Sequence, residues 1–398
     1  MRRAAAGNRA PAMMSPLGAG ISLDALERDP HVLLAELRAR EPVAWLTALG
    51  GWLVTRHDLA LSVMRDDRTF TVDDPRFSTA QVIGASMLSL DGDEHALHRA
   101  PFTPPFRPLA VRARFAAAAA GESEALLEGL APAGGAELRR SFAGPLAARI
   151  VSRALGLGAS EVDDLLPWYD AIVAGVTAIT AGSPLTREAE DAFAALSDRL
   201  GAVIDGTDRS SLLATVGASH ELTRVQVIAN AAVLLFGGIE TTEGMIANAV
   251  LALLEHPEAV GRVRGDARLL DAAIDESLRL EPAAAVVDRY ATVDVPLAGA
   301  RIGAGDLVRV SITAANRDPA VFVEPDRFDL SRGNLRRHLA FAHGPHVCLG
   351  VHLARLEARA ALARLLTRFP RLRLDPERPS AVGGLVFRKP PTLYVVWD

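Results

Sequence analysis

Residues 341–350 read Phe341-Ala342-His343-Gly344-Pro345-His346-Val347-Cys348-Leu349-Gly350, a turn-rich loop running into a periodic helix marked by Leu349, Leu353, Leu356, Ala360 and Leu365. Cys348 is the only cysteine in the chain. A cysteine entering a helix meets unpaired backbone N–H groups and the positive end of the dipole, and both favour the thiolate. Gly344 and Gly350 let the backbone come close to a bulky group. On this stretch alone three fates are open to the thiol. It can be a small buried hydrophobe, a nucleophile served by His343, His346 or His352, or a metal ligand.

At 398 residues the chain has room for two or three ordinary domains, or for one large domain organised around something other than side chains. An apolar content of 49% with 23% charged residues argues against disorder. A net charge of −5 offers no basic footprint for nucleic acid. One cysteine cannot close an internal disulfide, so no oxidising compartment is required. Lys389 is the sole lysine, leaving 42 of the 43 basic residues as arginine, which reads first as a GC-rich coding bias. The start, Met1-Arg2-Arg3, lacks the apolar stretch of a signal peptide. The most apolar segment, Val227 to Ile239, contains Asn230 and two glycines and falls short of the ~20 residues a membrane helix needs. A soluble, cytoplasmic protein is expected.

The patterning is mainly helical. A first helix follows Pro30, Val43–Leu46 and Trp52–Val54 form a hairpin around Gly50-Gly51, and His57 to Arg65 is helical again. An irregular stretch runs from Thr71 to Asp91, long enough to be functional. Helical text then continues from about Glu94 to Val287. Its longest piece, about Leu222 to Leu254, is apolar on most faces and reads as a buried central helix. Strand-like pieces return at Leu307–Val310, Leu372–Leu374 and Leu393–Trp397. The expectation is a mainly α (α+β) fold with small edge sheets: a flexible segment over 1–20, then one domain over 21–398.

Inside the long helix lies Phe236-Gly237-Gly238-Ile239-Glu240-Thr241-Thr242-Glu243. Two adjacent glycines each cost a helix about 1 kcal/mol, so they need a reason. They permit a kink or groove beside Glu240 and Thr241, an acid and an alcohol able to pass protons. Glu276-Ser277-Leu278-Arg279 places opposite charges three apart on one helix face. Iron in haem needs only one axial cysteine, so a haem thiolate is a special case of the metal reading.

Together these motifs make the chain resemble the cytochrome P450 family of haem-thiolate monooxygenases over nearly its whole length. Phe341, Gly344, Cys348 and Gly350 fit the family's F-x-x-G-x-x-x-C-x-G pattern, with Ala354 in place. Gly238, Glu240 and Thr241 fit its acid–threonine signature, and Glu276 and Arg279 its E-x-x-R pair. The stretch from Asn316-Arg317-Asp318-Pro319 through Pro325-Asp326-Arg327-Phe328 resembles its meander. Ala342 stands where many members have a second glycine, with little consequence expected.

The resemblance implies a single triangular-prism fold and haem b as cofactor, with Cys348 as the axial iron ligand. His95 and Arg99 match the family's H-x-x-x-R, and with Arg289 and His346 would grip the haem propionates. Glu276, Arg279 and Arg327 would form an ion network beneath the haem, and Glu240 and Thr241 would deliver protons for dioxygen activation. The pocket is implied to include Phe77, Val82, Ile83, Met87 and Leu88 from the irregular loop and Val233, Phe236 and Gly237 from the long helix. Ala284, Ala285, Val286 and Val287, after Glu281-Pro282, and Leu385 would complete it, although such apolar runs are also ordinary core. No flavin or nicotinamide fingerprint appears. Electrons from NAD(P)H are therefore expected through a separate ferredoxin and reductase, docking on a face made basic by Arg107, Arg112, Arg114, Arg336, Arg337 and Arg355. The implied activity is hydroxylation or other oxidation of a hydrophobic small molecule in bacterial secondary metabolism, by a monomer. The rival class is a haem-thiolate protein doing oxidative coupling, peroxygenase or isomerase chemistry, or gas sensing.

Overall fold

The computed structural model describes residues 16–158, 162–180, 182–206 and 211–397. Most of the expected N-terminal segment therefore lies outside the described residues, but Gly18–Gly20 forms a short 3-10 turn with Gly18 buried.

Helix starts follow local chemistry. Ser22 accepts a hydrogen bond from the Ala25 N–H and starts α1 (Leu23–Arg28), a helix the sequence reading passed over. It leads into α2 (His31–Arg40). The hairpin β1 (Val43–Leu46) and β2 (Gly51–Val54) forms as expected, pairing Val43 with Val54. Helix α3 (His57–Arg65) and strand β3 (Phe70–Thr71) follow. The stretch read as irregular contains α4 (Ser78–Ile83), and α5 (Gly92–Arg99) comes directly after it. Pro108 opens α6 (Pro108–Leu130), where its missing N–H costs nothing. Then come β4 (Gly135–Glu137), α7 (Gly144–Leu155), α8 (Val162–Thr180), α9 (Arg187–Asp205) and α10 (Leu212–Ser219).

Thr223 and Gln226 form a reciprocal capping box at the head of α11 (Arg224–Glu255), the expected central helix of 32 residues. By length and composition α11 could cross a membrane; here it is a core helix, buried at 21 named positions from Val227 to Leu253. Helices α7, α13 and α15 pack against α11, α13 also packs against α15, and α6 lies against α15 and α7. The chain continues through α12 (Pro257–Gly265), α13 (Leu269–Leu280), β5 (Val286–Ala291), β6 (Val295–Leu297), β7 (Ala300–Ile302), β8 (Leu307–Ser311) and α14 (Ile312–Ala315). It ends with α15 (Val351–Arg368), β9 (Arg373–Leu374) and β10 (Tyr394–Val396).

The largest sheet has the order β1-β2-β8-β5-β3, with only β2 and β8 parallel; β4-β10-β9 and β6-β7 make two smaller ones. The sheets lie at the edges of a helical body, as the mainly α reading requires. Segment 283–287, read as a loose apolar run, becomes the entry to β5.

The junction of α2, α13 and the C-terminal segment is held by charge. Glu281 pairs with His31 Nε2 at 2.6 Å, Arg317 at 3.0 Å and Arg388 at 3.2 Å. Burial alone would raise its carboxyl, but these partners hold it at about 2, against 4.5 when free. A folded value below the unfolded one means the stabilisation is complete above about pH 4.5 and is lost as pH falls toward about 2. Denaturant midpoints should therefore fall more steeply across that window in the wild-type protein than in Glu281→Gln. The lost difference should amount to about 3 kcal/mol, and parallel curves would refute the assignment.

Candidate functional site

The loop before α15 is built on positive backbone angles and close approaches. Gly344 sits at φ +75°, and a Cβ there would lie 2.4 Å from the Met64 carbonyl oxygen, so only glycine fits. Ala342 sits at φ +57°, in the left-handed region. Its replacement of glycine was expected to matter little; the structure shows that it strains the loop at the turn before Gly344. The loop is closed by the Cys348 N–H donating to the Phe341 carbonyl at 2.9 Å and the Val347 N–H to the Gly344 carbonyl at 3.1 Å. The Arg355 guanidinium lies over the Phe341 ring.

Gly350 is the N-cap of α15, and the N–H groups of Gly350 and Val351 point at the Cys348 sulfur. Cys348 is exposed, and a Cβ on Gly350 would find only its Sγ, at 3.9 Å. Burial pushes the thiol up, and the two N–H groups and Arg99 pull against it without winning.

The neighbouring histidines are committed elsewhere. His343 Nδ1 accepts from the Gly344 N–H at 2.9 Å and meets Arg65, while His352 is exposed. No group of three His, Cys, Asp or Glu side chains among the described residues is arranged to hold a metal ion.

Around the loop lies a cluster rich in donors. His346 Nε2 meets Asp91 Oδ1 at 2.6 Å, and its ring lies 4.4 Å from that of His95. Asp91 also accepts from the Thr71 hydroxyl at 2.6 Å and the Val72 N–H at 2.7 Å. Burial would raise Asp91, but these bonds hold it at about 2. His95 is pushed down to about 4, by burial first and then by His346 and Arg99, so its ring is neutral. Arg99 donates to the Val347 carbonyl at 2.6 Å, next to Cys348. Arg289, only 4% exposed, donates to the Asp288 carbonyl, while its Nη2 and His95 Nε2 have no partner. A buried guanidinium without a carboxylate is costly. Arg99, Arg289, His95 and His346 thus fit an anionic ligand carrying carboxylates.

Helix α11 passes this region unbroken, and of the kink or groove that the two glycines permit, the open space beside Gly237 is the groove. The glycines have separate reasons. A Cβ on Gly238 would lie 2.8 Å from Val151 Cγ2 of α7, whereas Gly237 borders open space with nothing within 4 Å. The Thr241 hydroxyl donates to the Gly237 carbonyl at 2.6 Å. Glu240 is buried and fully engaged: Lys389 Nζ stands 2.6 Å from one oxygen and the Tyr169 hydroxyl donates to the other. Burial and the Glu240 charge push the Tyr169 phenol up. The sequence reading missed Lys389 and Tyr169, although a solitary lysine was a visible signal.

The ion network forms around Glu276 and Arg279, both fully buried, with Nε–Oε2 at 2.6 Å and Nη2–Oε1 at 2.8 Å. Arg279 also donates to the carbonyls of Asn316, Pro325 and Arg327. Arg327 was expected to enter with its side chain. It gives only its carbonyl, while its guanidinium lies exposed against Glu324. Arg332 takes that place, reaching Glu276 Oε1 at 2.8 Å.

The expected pocket positions divide. Val233, Phe236 and Gly237 share a face of α11, and the Phe236 ring meets Phe387 edge-on at 5.7 Å. Phe387 pairs with Ala284, and the sequence reading passed it over. Val82, Ile83 and Met87 are buried in the main core with Leu88 against them, and Phe77 stands half-buried at the head of α4. Ala285, Val286 and Leu385 turn away instead, lining a narrow cavity with Leu26, Leu34 and Leu53. Alternation along β5 explains Val286: it shares a face with Asp288, which bonds Arg309, while Val287 shares the Arg289 face. Of the arginines expected on one basic face, Arg107, Arg112, Arg114, Arg336 and Arg337 are exposed. Arg355 is instead paired with Asp275 at 2.8 Å.

A family model described as Cytochrome P450 matches residues 202–396. The cytochrome P450 monooxygenase PikC of Streptomyces venezuelae is 36% identical over 395 residues, covering 94% of this chain and 92% of that protein. The 20-oxo-5-O-mycaminosyltylactone 23-monooxygenase of Streptomyces fradiae is 34% identical, covering 93% and 88%. The crystal structure of CalO2 matches with a TM-score of 0.86 and 30% identity, covering 95% of this chain and 99% of that one.

Two comparisons test the local geometry. Arg332→Met should cost about 2 kcal/mol in unfolding free energy, the scale of a buried charge-assisted bond, while Arg327→Met stays within about 0.5 kcal/mol. Ala342→Gly should stabilise the protein by about 1 kcal/mol by relieving the left-handed alanine. Calorimetry or denaturant melts read both; equal effects at 327 and 332, or a destabilising glycine, would contradict the geometry.

Proposed function

Since this chain belongs to the cytochrome P450 family, we propose that Cys348 is its haem-iron ligand and that the donors around the cysteine loop hold the haem carboxylates. The protein is a haem-thiolate monooxygenase that hydroxylates a hydrophobic small molecule with electrons from redox partners, and its relatives serve bacterial secondary metabolism. The observation that carries the residue assignment is the buried pair Arg289 and His95, each with a nitrogen that lacks a partner among the described residues, near Arg99 and a cysteine that receives two backbone N–H groups.

When bound, the haem supplies the reductive activation of dioxygen and the oxidising power. The chain's residues do the rest. Cys348 would hold the iron as a thiolate favoured by the metal charge, with the Gly350 and Val351 N–H groups directed at its sulfur. Arg99 and Arg289 would bond the haem carboxylates, His95 Nε2 would gain the partner it lacks, and Asp91 orients His346. The Thr241 hydroxyl, beside the open space at Gly237, turns from the Gly237 carbonyl to give or take a proton, and Glu240 behind it resupplies that proton. Val233, Phe236, Ala284, Val287 and Phe387, with the α4 region, exclude water and favour an apolar substrate such as a terpenoid, polyketide or aromatic metabolite. An acidic ferredoxin, reduced by a reductase from NAD(P)H, docks on the face carrying Arg107, Arg112, Arg336 and Arg337. We read residues 21–398 as one domain and the protein as a cytoplasmic monomer.

Ferrous protein under carbon monoxide should show the strongly red-shifted Soret band of a thiolate-bound haem, and Cys348→Ser should lose it. A histidine-type spectrum would overturn the assignment. Thr241→Ala should keep the spectrum but spend electrons without product; undiminished coupling would remove Thr241 from proton delivery. Raising ionic strength should slow turnover with a ferredoxin donor, and a flat response would exclude the basic docking face.

A further inference from the structure

Every basic side chain in this protein except one is arginine. Lys389, 8% exposed, lies where the C-terminal segment crosses α11. Its Nζ stands 2.6 Å from Glu240 Oε1 and 2.7 Å from Glu243 Oε2. A general coding bias accounts for 42 arginines but not for a lone lysine at this position.

The surroundings say why an ammonium is there. A Cβ on Gly244 would lie 3.4 Å from Lys389 Cδ, so the lysine stem occupies the groove left by that glycine. Glu243 receives a second cation, Arg139, at 3.1 Å, and Arg140 stands further off at 4.0 Å, reaching outward to Asp170. Glu240 receives no other cation, and its second oxygen is taken by the Tyr169 hydroxyl. The inner charges are therefore matched two against two: Glu240 and Glu243 with Lys389 and Arg139. Of the four, Lys389 alone touches both acids. It is a compact point charge that can move between two carboxylates by rotating its stem, whereas a guanidinium fork is geometrically committed.

We propose that Lys389 is a positioning residue for proton delivery, a cationic latch that holds Glu240 turned toward Tyr169 and releases it by keeping to Glu243 alone. With both oxygens of Glu240 occupied, the carboxylate cannot swing to serve Thr241 until one partner lets go; once freed, it takes a proton from water and passes it to Thr241. Glu243 already shares the ammonium, at 2.7 Å, and is the seat it keeps. This inference rests on the monooxygenase reading and on Glu240 as the proton-supplying acid.

The sole lysine gives a direct readout, because [15Nζ]-lysine labelling of the holoenzyme yields a single side-chain resonance. In the wild-type protein that signal should be a slowly exchanging ammonium, and Glu240→Gln and Glu243→Gln should each shift it. A signal unmoved by Glu240→Gln, or one exchanging like a surface lysine, would overturn the proposal whether or not any lysine variant folds. In the second arm, Lys389→Met should retain the carbon monoxide spectrum while product formed per electron pair falls about tenfold, the low end of what positioned proton transfer contributes. Its pH profile for coupling should also shift, and Lys389→Arg should restore the profile in part by returning the charge. A Lys389→Met protein with wild-type coupling and pH profile would refute the latch while leaving the monooxygenase reading intact. A wild-type protein without the thiolate spectrum would remove that reading itself.

Discussion

A guanidinium shut away from water must find protein partners for all its N–H groups, and Arg279 does so by gathering distant chain segments onto one point. Glu276 supplies the charge from the same helix. The carbonyls of Asn316, Pro325 and Arg327 supply the remainder, so the residues after β8 are drawn beneath α13. Asn316 in turn accepts from the Leu339 N–H at 2.7 Å, two residues before the cysteine loop begins at Phe341. A buried ion pair gains little net stability over apolar packing, but a broken one is severely unfavourable. That asymmetry makes it effective at specifying a single path for an otherwise irregular stretch. The position of Cys348 thus depends on a pair that touches no ligand.

The second scaffold is α11, whose length allows it to meet several functions in succession. Near its start, Asn230 accepts from the Met87 N–H at 2.7 Å and reaches His98, tying the α4–α5 loop to the helix. A turn later the Phe236 face meets Phe387, and Gly238 admits α7. Beyond these stand Thr241, Glu240 and Glu243. The helix runs on unbroken past both glycines, Gly238 lying against Val151 and Gly237 beside open space.

Much of this was legible in the sequence, for reasons that differ by element. The hairpin, α3, α11 and the cysteine loop each carry local signals: alternation, caps, glycines at forced angles and motif spacing. Contacts that join remote segments carry no such signal. Nothing near Arg332 marks it as the partner of Glu276, and β5 alternation alone separates Val287 from Val286 once the strand is known. Leu385 and Phe387 lie two apart, but a bend between them sends one to the α1–α2 side and the other to α11. Ala342 shows the reverse case: the residue was visible, but its backbone angle, and hence its strain, was not. The solitary lysine was visible as well, and composition alone explained it away.

The two buried polar clusters differ in a way that separates binding from proton handling. Around Cys348 the guanidiniums of Arg99 and Arg289 outnumber the one carboxylate, Asp91, which is taken by His346, and Arg289 Nη2 and His95 Nε2 lack partners among the described residues. An imbalance of that kind persists in a folded protein only when a ligand of opposite charge completes it. Beside Glu240 the charges are matched within the chain, and every oxygen of that acid is engaged. A closed cluster binds nothing further, so its use must come from exchange among its own partners. An incomplete charge set marks a seat for a cofactor, while a complete one holding a mobile ammonium marks a place where a proton donor can be held and let go.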